Sequence, residues 1–255
     1  RRWRVGAREA WVLRERADQQ RGAGSYLFRV GAAGPTSSAL LEAPHAYFDK
    51  LTGPIAADVF FAADAPAELR GLFTNSLHRY QVRPGVRTKR KHSPADVCHN
   101  PDHAFDHLTA AMLATGARGV IQLHGFADRA DPDEAIARAD DDDLDEPDED
   151  AVDASTPMLA VVSAGGRQRP TAAAHALAAA LGQAFGPGVL RYPGQTKQLG
   201  ATTNAQADRV DDAAGAQFVH VELSAMLRAQ LTSDAGSARA LRRAITSAIS
   251  RLAPP

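Results

Sequence analysis

The chain has 255 residues, 44% of them hydrophobic, which suits one large α/β domain with a sizeable core. A net charge of −1 gives no overall field that would draw nucleic acid or a membrane surface, and the single cysteine, Cys98, excludes an internal disulfide. No apolar run approaches the ~18 residues that a membrane-spanning helix needs. The sequence starts at Arg1 rather than Met, which reads as a trimmed N-terminus. The compartment therefore stays open, a secreted or periplasmic location included.

Residues 1–23 are rich in Arg and Gln, with Trp3 and Trp11 as candidate anchors. Residues 26–30 alternate like a strand, and Gly34-Pro35 marks a turn. Residues 39–43 read as a buried strand and 52–63 as a helix with Pro54 in its first turn. A short strand is expected over 72–75, then a basic loop over 83–92. Asn100-Pro101 reads as a cap and first helical residue of a helix that runs to about Thr115, with Gly116 as its stop. Residues 119–123 form the next expected strand. Residues 131–150 hold 12 acidic side chains and almost no large apolar ones, so the segment 131–153 is expected to be a solvated, disordered insertion in a single domain spanning 1–255. The core resumes with strands at 159–163, 189–192 and 216–223 and helices at 171–185 and 235–252. This alternation predicts an α/β protein, a three-layer α/β/α arrangement around a mostly parallel sheet.

Three apolar runs carry chemistry near their ends. The first leads to His45, with Asp49 four residues on. The second ends in His124-Gly125, and the third contains Glu222 within Val219-His220-Val221-Glu222-Leu223. In a parallel sheet such strand ends converge on one crevice. Two His and a carboxylate with an open fourth position are the parts of a catalytic zinc site. Glu222 reads either as a general base or as the partner of Arg228, since a charge in an apolar strand is costly unless paired or used. Cys98, His99, His103 and His107 crowd a second segment, in which Pro101 at the first helical position places His99 outside the helix. That leaves His103 and His107 as an i, i+4 pair with Cys98 nearby. The pair is read as the polar face of the helix, because it is a weak metal motif without a third partner, and a metal-binding pair is the alternative.

Together these segments resemble the zinc carboxypeptidase-like superfamily, most of all its poly-γ-glutamate hydrolase branch. The likeness lies in His45-Ala46-Tyr47-Phe48-Asp49, in His124-Gly125, in Thr203-Asn204, and in Val221-Glu222-Leu223-Ser224 followed by Leu227-Arg228. The chain departs from that branch in using Asp for the Glu ligand, in a His-to-carboxylate spacing one residue shorter, and in Ala46 and Tyr47 where the branch has glycines. The resemblance implies Zn²⁺ held by His45, Asp49 and His124, with Glu222 as base for cleavage of an amide or peptide bond. Arg79 is the expected clamp for a substrate carboxylate or oxyanion, with Asn75 and Arg228 as further substrate contacts. Arg83, Arg87, Lys89, Arg90 and Lys91 form a basic rim suited to an acidic small molecule or peptide. That rim lacks interleaved aromatics, so no nucleic-acid partner is expected. The oligomeric state is left open. The alternative is a binding domain that keeps the fold without catalysis.

Overall fold

In the computed structural model, residues 1–31, 38–87, 93–127, 157–166 and 170–252 are described. The turn expected at 34–35, much of the basic loop and the acidic segment lie outside them.

The chain builds a nine-stranded sheet in the order β1-β2-β3-β5-β4-β8-β11-β9-β10. Its centre is parallel: β5 (Leu69–Thr74), β4 (Ser38–Ala43), β8 (Ala117–Phe126) and β11 (Gln217–Ser224) all run the same way. One flank is an antiparallel meander of β1 (Arg2–Val5), β2 (Arg8–Arg14) and β3 (Ser25–Arg29). On the other, β9 (Ala160–Ser163) runs against β11, with β10 (Val189–Arg191) parallel to β9. A separate two-stranded hairpin, β6 (Gln81–Arg83) and β7 (Val86–Arg87), occupies the start of the expected basic loop.

Alternation along the central strands sorts side chains to two faces. Leu41, Ile121, Leu123, Val219, Val221 and Leu223 pack under four helices: α1 (Thr52–Phe61), α3 (Ala172–Phe185), α5 (Ala225–Ser233) and α6 (Ala235–Ile249). Leu40, Val120 and Phe218 point the other way, against Phe105 of α2 (Ala104–Ala114) and Val210 of α4 (Ala205–Asp212). The result is three layers with a sheet that is mostly parallel in its core. Among the described residues, no helix is long and apolar enough to cross a membrane.

The expected strands and helices from β3 onward are present, with differences that have local causes. Residues 1–23 form a hairpin, and Trp3 and Trp11 stand exposed on it rather than anchoring the core. α2 starts at Ala104, not after Asn100. His103 caps it, accepting the Phe105 N–H on Nδ1 while Nε2 donates to the Gly22 carbonyl 2.8 Å away. That tertiary bond fixes the helix start in a way the local sequence does not encode. α4 and α5 are additions: Asn204 caps the first and Ser224, the last residue of β11, caps the second.

Candidate metal centre and active site

The site forms where β4, β8 and β11 end. The register aligns Glu42 with Gln122 and Gln122 with His220 across the three strands, and His124 with Glu222 one step further toward the carboxyl ends. All five side chains belong to the face that carries α2 and α4, because residues two apart share a face. His220 is therefore at the site by the same alternation that brings Glu222 there. The sequence reading overlooked it.

His45 follows β4 and begins a tight turn, in which the Phe48 and Asp49 N–H groups both donate to the His45 carbonyl, at 2.7 and 2.8 Å. The Thr52 hydroxyl and N–H then hold the Asp49 carbonyl as α1 begins. This helix-like turn brings Asp49 back beside His45. Asp49 Oδ2 lies 3.9 Å from His45 Nδ1 and 3.2 Å from His124 Nδ1. That oxygen is buried and makes no hydrogen bond. Burial raises the Asp49 carboxyl, against the charges of Arg79 and Arg228 and the Gly125 N–H, which favour its ionised form.

The far side of each ring is engaged by the protein. His45 Nε2 is 2.9 Å from Asp96 Oδ1, and His124 Nε2 is 3.2 Å from Gln122 Oε1. Both rings are buried and 4.9 Å apart between centroids. Burial, with the positive charge of Arg79 second, pushes His45 down to about 4 and His124 down to about 3. Both imidazoles are thus neutral at pH 7, the form that ligates metal.

Asp96 joins the site to its surroundings. It accepts from His45, from Arg79 Nη2 at 2.8 Å and from His99 Nδ1 at 3.1 Å. Burial alone would raise its carboxyl, but the His45 and His99 hydrogen bonds and the Arg79 charge hold it well below the ordinary carboxylate range. Arg79 is held over the rings of Phe48 and Tyr80, at 5.5 and 5.3 Å. Asn75 braces the same region: its Nδ2 donates to the Ala95 carbonyl and its Oδ1 accepts from the N–H groups of Ser76 and Leu77. The structure thus gives Asn75 a turn-holding place rather than a contact surface for substrate.

Arg228 is likewise inside, at 1% exposure, and donates to the carbonyls of Leu223 and Phe126. A Cβ at Gly125 would fall 1.6 Å from its Nη1, so glycine there is required by the close approach of this guanidinium. From beneath the site Arg228 adds positive charge toward Asp49. Glu222 is more open, with 12% of its side chain exposed, and its Oε1 lies 3.5 Å from His220 Nε2.

Among the described residues, two three-residue groups have donor atoms within 4.8 Å of one another: His45 with Cys98 and His124, and His124 with His220 and Glu222. Cys98 belongs to this centre and not to a cluster on α2. His103 is a helix cap, His107 is exposed, and the Cys98 thiol sits 3.8 Å from His124 Nε2. Burial pushes that thiol far up, so it stays protonated without a metal.

Glu42 was not singled out in the sequence. It is fully buried and accepts from Thr109 Oγ1 at 2.6 Å and Gln122 Nε2 at 2.7 Å. Burial pushes its carboxyl up to about 7 in spite of those two bonds. A folded value above the unfolded one means the stability it contributes is complete below about pH 4.5 and is lost as pH rises through about 7. Wild type should therefore lose stability relative to Glu42→Gln between pH 5 and pH 7.5, by at most on the order of 3 kcal/mol. Titrations of His45 and His124 are common to both proteins and cancel in the difference. Denaturant unfolding of the two proteins across this range measures it, and a pH-independent difference would contradict the buried carboxylate.

No protein-family model matches the chain, and no curated protein matches it. Among solved structures, a metallo-carboxypeptidase from Burkholderia cenocepacia superposes with a TM-score of 0.50 at 14% identity, over 94% of this chain and 63% of that one. A bacteriophage poly-γ-glutamate hydrolase gives 0.49 at 15% identity, over 97% and 91%. An aspartoacylase family protein from Mesorhizobium loti gives 0.44 at 11%, over 90% and 61%. The chain spans less than two thirds of the length of the carboxypeptidase. At these identities the likeness is one of fold alone: the chain shares its fold with that metallo-carboxypeptidase.

Proposed function

We propose that this chain is a zinc-dependent hydrolase of amide or peptide bonds, with the ion held by His45 Nδ1, Asp49 and His124 Nδ1. One observation carries the reading. Asp49 Oδ2 is buried without a hydrogen bond, faced by the Nδ1 atoms of two neutral His whose Nε2 atoms are already engaged by Asp96 and Gln122. Such outer partners are what orient metal-ligating imidazoles. Two nitrogens and one carboxylate suit zinc, which when bound supplies a Lewis acid that polarises an amide carbonyl and makes water more acidic.

The protein's own groups do the rest. Glu222 stands one strand over from His124, partly exposed, where it takes a proton from the attacking water and passes it to the leaving amine nitrogen. Arg79 is fixed by Asp96 and by its place over the Phe48 and Tyr80 rings, and its charge serves a substrate carboxylate or the developing oxyanion. With Arg83 and Arg87 exposed nearby in sequence, the favoured substrate carries a carboxylate beside the scissile bond, of γ-glutamyl or C-terminal type.

The rival ligand set replaces Asp49 with Cys98. Metal analysis of Asp49→Ala and Cys98→Ser separates the two. Asp49→Ala should lose most of its zinc and Cys98→Ser should keep it. The reverse pattern would move the ion to the Nε2 side and overturn the ligand assignment.

A further inference from the structure

The hydrogen bonds behind His124 form a chain whose direction is set at its ends by backbone groups. Asn204 caps α4, and its Oδ1 accepts from the N–H groups of Gln206 and Ala207 at 3.0 and 3.1 Å. Backbone N–H groups only donate, so the other end of that amide, Nδ2, must be a donor. It points at Gln122 Oε1, 2.8 Å away. Gln206 gives an independent lock. Its Nε2 donates to the Val97 carbonyl at 3.0 Å, which can only accept, so its Oε1 faces Gln122 Nε2 at 3.1 Å. Gln122 Nε2 also donates to Glu42 Oε2 at 2.7 Å. Gln122, Asn204, Gln206 and Glu42 are all buried. A flipped Gln122 amide would set nitrogen against the Asn204 nitrogen and oxygen against the Gln206 oxygen, leaving several buried polar groups unpaired.

Gln122 therefore presents an oxygen to His124 Nε2, 3.2 Å away. Asp49 Oδ2 faces the other ring nitrogen, Nδ1, at 3.2 Å but makes no hydrogen bond, so the acceptor that is hydrogen-bonded is the one at Nε2. It selects the imidazole that carries its proton on Nε2, and that tautomer leaves a lone pair on Nδ1. We propose that Gln122 is a positioning residue that fixes His124 in the Nε2–H tautomer, with Asn204 and Gln206 as the residues that orient it. The Nδ1 lone pair is thereby aimed at Asp49 before any ion arrives. The benefit to metal binding rests on the ligand set proposed above, whereas the tautomer itself does not.

Imidazole ¹H–¹⁵N correlation spectra of the full chain without metal test the tautomer directly, with the His124 signals assigned by their loss in His124→Gln. His124 protonated on Nε2 is the expected result. Protonation on Nδ1, or an even mixture, would overturn the proposal. Asn204→Asp extends the test in a chain that keeps its helix cap, since Asp caps as well as Asn. It swaps the donor facing Gln122 for an acceptor, so the tautomer should become mixed. Zinc affinity, measured by competition with a chromophoric chelator, should fall about 10–100-fold, the usual effect of losing an outer partner. Added negative charge alone would raise affinity, so a fall reports orientation. An unchanged tautomer and affinity in Asn204→Asp would overturn the locking role. A wild-type chain that shows the Nε2–H tautomer but no zinc affinity would uphold the tautomer lock and refute the metal reading.

Discussion

Glu222→Gln should lower turnover by about two to four orders of magnitude while the protein keeps its metal. Gln matches Glu in size and keeps a hydrogen-bonding oxygen, but it cannot accept the proton of the attacking water. Its place supports the role. Glu222 pairs in register with His124 on the adjacent strand, with part of its side chain open to solvent. The assay uses peptides with a γ-glutamyl or C-terminal acidic residue, and metal is quantified on the same preparations. Zinc lost with the substitution would make Glu222 a ligand, with His220 and His124 beside it on the ion. Unchanged turnover of a cleaved substrate would remove the base assignment. A chain that cleaves none of these peptides and is indifferent to the substitution fits the binding-domain alternative.

Asp96→Ala should destabilise the fold by about 3–5 kcal/mol, the cost of removing one partner from a buried ion pair. Asp96 is 1% exposed and receives hydrogen bonds from Arg79, His45 and His99, so its loss strands a guanidinium held over the Phe48 and Tyr80 rings. Its carboxyl is held far below the ordinary range. The stability it adds is therefore present in full above the unfolded value of about 3.9 and is lost progressively as pH falls below it toward the much lower folded value. The gap between wild type and Asp96→Ala in denaturant unfolding should be widest near pH 7 and should narrow below pH 4. Zinc affinity should also drop about 10–100-fold, because His45 loses the acceptor that orients it. A variant within about 1 kcal/mol of wild type at pH 7 would contradict this account of the pair.

Much of the layout could be read from residue order because it depends on local pattern. Apolar runs at 39–43, 119–123 and 216–223 are strands since both faces of a central parallel sheet are buried. His45, Asp49, His124 and Glu222 come together because the ends of those runs share one edge of the sheet. What stayed hidden depends on pairing between distant segments. Asp96 lies in an irregular stretch with no periodic pattern, and that stretch is held beside His45 by distant partners: Asn75 on the Ala95 carbonyl, Arg79 on Asp96 itself and Gln206 on the Val97 carbonyl. Asn75 and Arg228 looked like substrate contacts from their neighbours in sequence. Their burial and backbone hydrogen bonds follow from packing that spacing cannot reveal. Glu42 passed as part of an apolar run because its partners Thr109 and Gln122 lie 67 and 80 residues away. His220 was within reach, since strand alternation alone places it on the same face as Glu222.

The central claim is that His45, Asp49 and His124 hold one zinc ion. Metal content by elemental analysis, after purification without chelator and dialysis against trace Zn²⁺, tests it most directly. The account predicts about one Zn²⁺ per wild-type chain and a large loss in folded His124→Ala. A wild-type chain with no bound metal, or His124→Ala with full occupancy, would contradict it.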